Sequence, residues 1–447
     1  MAADSSAAPA VPAAPVAGKL PRAFHRLWAA GAASSLGDGV YLAALPLLAA
    51  RLTQDPVMLG LVSSAALLPW FFFGLIGGAL VDRWDRRRTM WLTDLGRAAL
   101  LVIPCVAVAG HLLSVPLLIA VALLLGTGQV FFDSAASAYL PQLLDRDVTL
   151  LQRAGARQQG ATTLCADFAG PPLGGLLFSL GRALPFGLDA LSFLASSLLI
   201  RSIPQGSQGA GSGSGAGAGV GVAAAVAAPA RRSIWAEAKV GAGYLLRHRL
   251  LLGLALRPAI GNVAFVGADA VLVLYAHHTL HLGDRGYGLL LVCQATGGLL
   301  GTVLAGRLGA LLGTGGALTA TALLEGAALI GFGLCGGPIP AGLALAGLGA
   351  AMGATMVLAP AIGQALIPLD LAGRVGAARR LLTLGAAPLG ALLGGWLASS
   401  AGLQAPFLVG GVMLAATSLV TLTVATNRRI EEALAAAKAE REAAEEG

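Results

Sequence analysis

Charge is what this sequence has least of. Asp, Glu, Lys and Arg together make up 11% of its 447 residues, whereas soluble domains run near a quarter. The length would suffice for two or three soluble domains, but a mean hydropathy of +0.79 and an apolar share of 56% argue against them. Cysteine is also scarce. Cys105, Cys165, Cys293 and Cys335 each stand alone inside an apolar run, which excludes a paired zinc or disulfide framework and leaves them as small packing residues. No G-x-x-x-x-G-K-[ST] loop occurs, so nothing points to ATP hydrolysis, and neither H-E-x-x-H nor G-x-S-x-G appears in a supporting context. The strict alternation of outer-membrane strands is missing too.

What is present is a series of apolar runs, each long enough to cross a bilayer as a helix. Helices satisfy their own backbone in lipid. The runs predict twelve spans: 26–50, 58–81, 91–110, 114–138, 158–181, 184–203, 250–277, 286–309, 315–335, 339–366, 377–400 and 404–426. The expected fold is therefore all-α and integral to the membrane, with twelve transmembrane helices in two pseudo-symmetric six-helix halves.

The net charge of +7 could suggest nucleic acid, but its distribution does not. Lys19, Arg22, Arg26, the cluster 83–88, Arg146, Arg153, Arg157, the 231–249 group, Arg307, Arg374, Arg379, Arg380, Arg428 and Arg429 all fall on the side that holds both termini. The other side keeps Arg51, Arg182 and Arg285. By the positive-inside rule both termini are cytoplasmic, in a plasma (inner) membrane. The stretch GGALVDRWDRRRTM (77–90) is then the cytoplasmic turn after the second span.

The chain divides into a disordered Ala/Pro-rich tail (1–20), a six-helix half (21–203), a cytoplasmic linker (204–249), a second half (250–427) and a charged tail (428–447). The tail at the start has no basic segment before an apolar core, so it does not read as a cleaved signal. Within the linker, 205–221 is Gly/Ser-rich and flexible. RRSIWAEAKVGAGYLLRHR (231–249) reads as an amphipathic helix on the membrane surface, with Trp235, Val240, Tyr244 and Leu245 on its apolar face. The halves also match each other. AGPPLGGLLFSLG (169–181) resembles AAPLGALLGGWLA (386–398), and LLDRDVTLLQRAGAR (143–157) occupies the turn equivalent to PLDLAGRVGAARR (368–380). Apolar Pro/Gly-rich segments at corresponding places in two halves mark duplicated transporters.

Gly78-x-Leu80-x-Asp82-Arg83-x-x-Arg86-Arg87 resembles the signature of the major facilitator superfamily between the second and third helices. The resemblance covers roughly 20–427. Where the family commonly has Gly, Asp85 stands. That Asp, together with SSLGDGVYLAALP (34–46), DLGRA (94–98), FFDSAASAYLP (131–141), LDALSF (188–193) and AGRV (372–375), resembles the third drug:proton antiporter family, which includes macrolide and siderophore exporters. The resemblance implies a cytoplasmic gate. Gly78 allows close helix approach, Asp82 accepts from the amino end of the eleventh helix, and Arg83, Arg86 and Arg87 pair with acids and headgroups. Gly170, Pro171, Gly174 and Gly175 resemble the antiporter motif of the fifth helix, which marks exporters; the usual upstream Gly is Ala166 here. One departure bears on coupling: the mid-helix Arg that many such antiporters carry in the fourth span is absent from 114–138.

Acids at membrane depth are functional candidates by default. Asp38 leads, near the midplane of the first span, with Gly31, Ser34, Ser35 and Tyr41 on the same face. That stripe is expected to line a cavity and to exchange a proton or a cationic substrate. Further cavity candidates are Asp133 beside Gln129 and Ser137, Asp167 on a face shared with Thr163, Gly170 and Gly174, Asn262 with Asp269, Gln294, Glu325 near Thr321, and Gln364. Asp94 and Arg97 form an i,i+3 pair of structural character, and Asp189 reads as a helix-end anchor. His277, His278 and His281 cluster at the outer end of the seventh span without an obvious third metal ligand, as loop residues or a pH-sensitive outer gate.

The sequence thus predicts a secondary transporter, not an enzyme. It would export a small amphipathic compound (a drug, secondary metabolite or siderophore-like molecule) by alternating access and proton antiport. No cofactor or metal is expected, and the proton gradient supplies the energy. The expected partners are a small-molecule substrate and the lipid bilayer, without nucleic acid, and the unit is a monomer. Uptake or lysolipid movement by the same fold is the alternative. A non-transporting membrane sensor or assembly partner is another, and it would depend on the linker or tail instead of the cavity acids.

Overall fold

The structure is a computed structural model that describes residues 20–74, 81, 84–144, 147–204, 243–247, 249–366, 372–424, 426–432 and 435. Side chains at 148, 249, 250, 254, 360–366, 372–374, 377, 380, 420 and 424 lie outside that description. So do Gly78, Asp82 and Arg83 of the gate motif, most of the linker and terminal tails, and the side chain of Gln364.

The regular structure among the described residues is helical throughout. In chain order it comprises α1 (Arg22–Ala50), α2 (Pro56–Phe73), α3 (Arg86–Ala109) and α4 (Val115–Leu143). Next come α5 (Val148–Thr162, a π-helical stretch Thr163–Ala169, then Gly170–Leu180), α6 (Leu184–Arg201) and α7 (Arg249–His278). Asp284–Leu334 is written by its hydrogen bonds as one helix of 51 residues. At 1.5 Å per residue that is about 75 Å, more than twice a hydrocarbon core. Gly313, at φ 71°, divides it into α8 (284–312) and α9 (314–334). The chain continues through α10 (Pro338–Leu366), α11 (Ala372–Gly385 with Ala387–Ala401) and α12 (Ala405–Val424). Ten described helices are long and apolar enough to cross a membrane. The expected twelve crossings are reached by dividing Asp284–Leu334 and by counting α5, whose helical pieces are individually short.

Local chemistry sets several of these ends. Asp55 caps α2 by accepting from the Val57 amide at 2.9 Å, with Pro56 in the first turn. Asp147 caps α5 through the amides of Thr149 and Leu150. Bonding from the Thr149 hydroxyl and the Leu150 amide holds the Asp147 carboxyl below its ordinary range, so this cap is lost only as pH falls through that lowered value. Asp85 caps α3, its Oδ1 2.6 Å from the Arg88 amide. That gives the Asp found in place of the common Gly a concrete role. Asp85→Ala is expected to lower stability by about 1 kcal/mol while sparing transport. An unchanged melting temperature in detergent would remove the cap from the account.

The two halves repeat one packing scheme. α1 packs on α5 and α6, α2 on α4, and α3 on α4 and α6. Adding six to each label gives the second half, where α7 packs on α11 and α12, and Asp284–Leu334 packs on α10 and α12. Glycines make the closest approaches. A Cβ on Gly170 would lie 2.6 Å from the Gly39 Cα of α1, and Gly174 abuts the Val40 carbonyl. A Cβ on Gly390 would lie 2.6 Å from the Val263 carbonyl oxygen of α7, and Gly394 abuts Gly267. The last glycine of each set crosses between halves: Gly175 meets Gly288 of α8, and Gly395 meets Pro56 of α2. The internal repeat therefore aligns 170/174/175 with 390/394/395, a register three residues away from the one the sequence match suggests. Leu and Ala fill the other positions and carry no register.

The apolar core also shows where the halves join. One continuous cluster takes Tyr41, Leu45, Leu48, Phe178 and Phe186 from the first half with Tyr275, Tyr287, Phe332 and Phe407 from the second. These lie toward the far end, opposite the basic turns. At the basic end the described clusters each stay within one half: Phe24, Met90, Phe132 and Tyr139 in the first, and Leu251, Ala255 and Val375 in the second. The outer face is studded with exposed apolar side chains such as Leu112, Val303, Leu311 and Ile339, as a lipid-facing surface requires.

Two contacts tie the linker and the tail to the helices. In the linker, described residues 243–247 are helical, and Leu245 is buried against Leu251, Ala255 and Val375. It faces protein, while Trp235 and Val240 lie outside the described residues. The charged tail begins docked. Ile430 is buried with Ala305, Leu318 and Leu358, because Asn427 pins this segment by accepting from the Gly315 and Gly316 amides at 2.7 and 3.1 Å. Those are orphan donors at the start of α9.

Candidate functional site

A cavity of about 280 Å³ lies between the halves. α1 contributes Leu42 and Ala43, and α5 contributes Ala166, Asp167, Phe168 and Pro171. Phe265 and Asp269 come from α7, Leu291 and Gln294 from α8, and Met352 and Met356 from α10. Three sequence-predicted residues, Asp167, Asp269 and Gln294, are thus brought together. The π-helical stretch explains Asp167. An α-helical count puts it on one face with Thr163, Gly170 and Gly174. The wider π turn separates them, so Gly170 and Gly174 seat against α1 while Asp167 and Pro171 face the cavity.

Asp38, Ser34 and Tyr41 are not among the lining residues. Asp38 instead pairs with Arg97 of α3. Arg97 is 3% exposed and also reaches Asp94 at 3.5 Å, and its guanidinium lies 3.7 Å over the Phe193 ring. Asp94, fully buried, accepts from the Ser196 hydroxyl at 2.5 Å. Asp189 is buried as well and accepts from Ser192. It also lies within reach of the Arg97 charge, so it belongs to this network and is not a helix-end anchor. Gly37 and Gly39, which flank Asp38, seat α1 against α6 and α5 respectively, and a Cβ on Gly37 would strike Asp189 and Ser192. Ser34 is buried. Tyr41 packs edge-on against Phe186, and its hydroxyl finds no hydrogen-bond partner among the described residues. Asp133 accepts from Gln129 at 3.1 Å and lies within reach of the Arg97 charge. The buried cation of this half thus sits on α3, not on α4, where many of the antiporters it resembles carry one.

The second half holds a counterpart with the charges exchanged. Glu325 of α9 accepts from Thr355 at 2.8 Å and faces Arg257 of α7 at 3.5 Å, and Arg257 also donates to Thr321 and Thr355. In the first half the acid is on α1 and the arginine on α3. Here the arginine is on α7 and the acid on α9, the helices six places later. Asn262 donates to the Thr383 carbonyl at 2.9 Å, beside the break in α11, and so braces that helix instead of facing the cavity with Asp269.

At the far end, polar contacts join the halves. Arg51 pairs with Asp284 at 2.5 Å, His278 Nε2 lies 2.6 Å from Gln54 Oε1, and His277 Nε2 lies 3.4 Å from Asp284 Oδ1. Two of the three histidines therefore contact residues of this cross-half latch, and no group of three metal-ligating side chains occurs among the described residues. Asp284→Asn is expected to cost under about 1 kcal/mol, because the pair is partly exposed. It should still raise labelling of far-end cysteines in folded protein. Unaltered labelling would mean that the latch does not hold the halves.

At the basic end, Arg87 donates to the carbonyls of Ile200 and Arg201, and Arg26 to that of Ser202. Of the gate arginines, Arg87 therefore caps the carboxyl end of α6, where the helix dipole favours a cation. Arg86 is partly buried at the start of α3. Trp84 packs on Phe131 of α4 and fixes the turn.

Two six-helix halves around a shared cavity, with paired charges at membrane depth, define a multi-pass membrane transport protein. A family model described as transmembrane secretion effector matches residues 11–208. The chain is 29% identical over 420 residues to the uncharacterized MFS-type transporter YfiS of Bacillus subtilis, covering 89% of this chain and 92% of that one. It is 27% identical over 403 residues to the multidrug efflux pump Tap of Mycobacterium tuberculosis, with the same coverage of 89% and 92%. Among solved structures it is similar to a bacterial homologue of the iron transporter ferroportin, at TM-score 0.67 and 14% identity over 92% of this chain and 100% of that one. It is also similar to the nucleoside transporter NupG, at TM-score 0.64 and 12% identity over 90% and 99%. Over most of its length the chain is thus similar to MFS-type transporters, among them a multidrug efflux pump.

Proposed function

We propose that this protein exports small amphipathic compounds from the cell by proton antiport, as a monomer in the plasma (inner) membrane with both termini cytoplasmic. The observation that carries the reading is the cavity between the halves, mostly apolar and lined by one carboxylate from each half. Such a space suits a small apolar ligand that carries a polar group. Similarity to a multidrug efflux pump supports the direction of transport. The positive-inside distribution of Lys and Arg supports the orientation. With that orientation, the core that joins the halves at the far end supports an inward-facing state, with the substrate loaded from the cytoplasm.

The proton side of the exchange falls to the Asp38–Arg97–Asp94 network, where two carboxylates share one arginine. Protonation of Asp38 would free Arg97 to centre on Asp94, a discrete rearrangement beside the α1–α5–α6 contacts. The gradient itself is the energy source, and no cofactor enters. Inverted vesicles under an imposed pH gradient, offered macrolides, siderophores, dyes and lysolipids, test the proposal. Gradient-dependent accumulation of one class, lost in Asp38→Asn, is the expected result. Accumulation that persists in Asp38→Asn at every pH would end the assignment of coupling to this acid.

A further inference from the structure

The acids at membrane depth divide into two kinds. Asp38 and Asp94 pair with Arg97, Asp133 with Gln129, Asp189 with Ser192, and Glu325 with Thr355 and Arg257. Asp167 and Asp269 have neither an ion-pair nor a hydrogen-bond partner among the described residues, and they are the two acids that line the cavity. Among the described residues the lining contains no Lys, Arg or His. An unpaired carboxylate in apolar surroundings is costly, and the cost falls sharply when a cation meets it.

The remaining walls suit a lipophilic cation. Phe168 and Phe265 supply aromatic rings, whose faces attract cations, and Met352 and Met356 adapt to different shapes. Gln294 can accept a hydrogen bond from an ammonium group. We infer that the cavity selects amphipathic organic cations and rejects anions of the same size and shape, with Asp167 of α5 and Asp269 of α7 as its two anionic contacts, one from each half. This inference rests on reading the cavity as the transport site, and it names the class of compound that site takes.

Tetraphenylphosphonium and tetraphenylborate are a matched pair of probes, nearly equal in size and opposite in charge. Equilibrium binding to the purified full chain in nanodiscs is expected to detect the phosphonium and not the borate. Asp167→Asn and Asp269→Asn should each weaken phosphonium binding about tenfold or more, and Asp269→Glu should retain it. Melting temperatures close to wild type certify that the variants are folded. Equal binding of both ions, or no phosphonium binding to the wild type, overturns the inference. So does unaltered binding in both Asn variants. The vesicle experiment separates this from the broader reading. Gradient-driven export of neutral compounds without phosphonium binding would retain the exporter and discard the cation site. Acid-dependent phosphonium binding without export of any compound would do the reverse.

Discussion

Arg97→Gln is expected to abolish transport and to destabilise the protein by about 3–5 kcal/mol, because it removes the one cation from a buried acidic group. Arg97 pairs with Asp38 and Asp94, and Asp189 and Asp133 also lie within reach of its charge. Without it, Asp38 and Asp94 would face each other uncompensated among Phe193, Ser196 and the close helix contact at Gly37. The loss should be non-additive. Asp38→Asn combined with Arg97→Gln removes one excess charge, so the double variant should be more stable than Arg97→Gln alone while staying inactive. Thermal unfolding of the three variants in detergent closes this cycle. A single variant within about 0.5 kcal/mol of wild type would show that the network contributes nothing to the fold.

Gly175→Val is expected to reduce transport about a hundredfold or more in a protein that still folds, because interfaces between rigid halves switch between discrete packings and tolerate no intermediate one. A Cβ on Gly175 would already lie 2.6 Å from the Gly288 Cα, and the branched side chain would force α5 and α8 apart. The contact exists only while the far end is closed, so the variant should accumulate with that end open. A cysteine placed at Leu282 and labelled from the far side with an impermeant maleimide should react faster in Gly175→Val than in the wild-type background. Gly174→Val is the control. Gly174 meets Val40 within its own half, so that substitution should cost stability and leave the closed fraction of folded protein unaltered. Wild-type transport by Gly175→Val would contradict the closed interface described above.

The fold was legible because hydropathy and charge asymmetry follow from the solvent alone. The spans, the basic turns and the glycine-rich fifth helix all emerge from single-residue chemistry. The site was only half legible. Depth in the membrane singled out Asp38, Asp167, Asp269 and Glu325, but depth does not say what each meets. Arg97 is three residues from Asp94, and that local spacing accounts for it well enough to hide its pair with Asp38, which requires α1 and α3 to pack side by side on α6. Arg257 was absent from the candidates for the same reason, since it matters through Glu325 on a helix distant in sequence. Asp167 was read with an α-helical period that the π stretch breaks. Two further signals of these contacts lie in the sequence. Gly37 and Gly39 flank Asp38, and a G-x-x-x-G-G triplet recurs in α5 and α11, which together mark where α1 and α7 are clasped.

The central claim is that two rigid halves rock about the cavity, with this structure closed at the far end. Distances between paired spin labels test it most directly, in a background with the four native cysteines replaced. One pair, Leu112→Cys with Ile339→Cys, reports the far end, and another, Gln152→Cys with Arg307→Cys, reports the basic end. Acidification or added substrate should lengthen the far pair while shortening the basic pair. Two distances that stay fixed, or that lengthen together, would contradict alternating access in this protein.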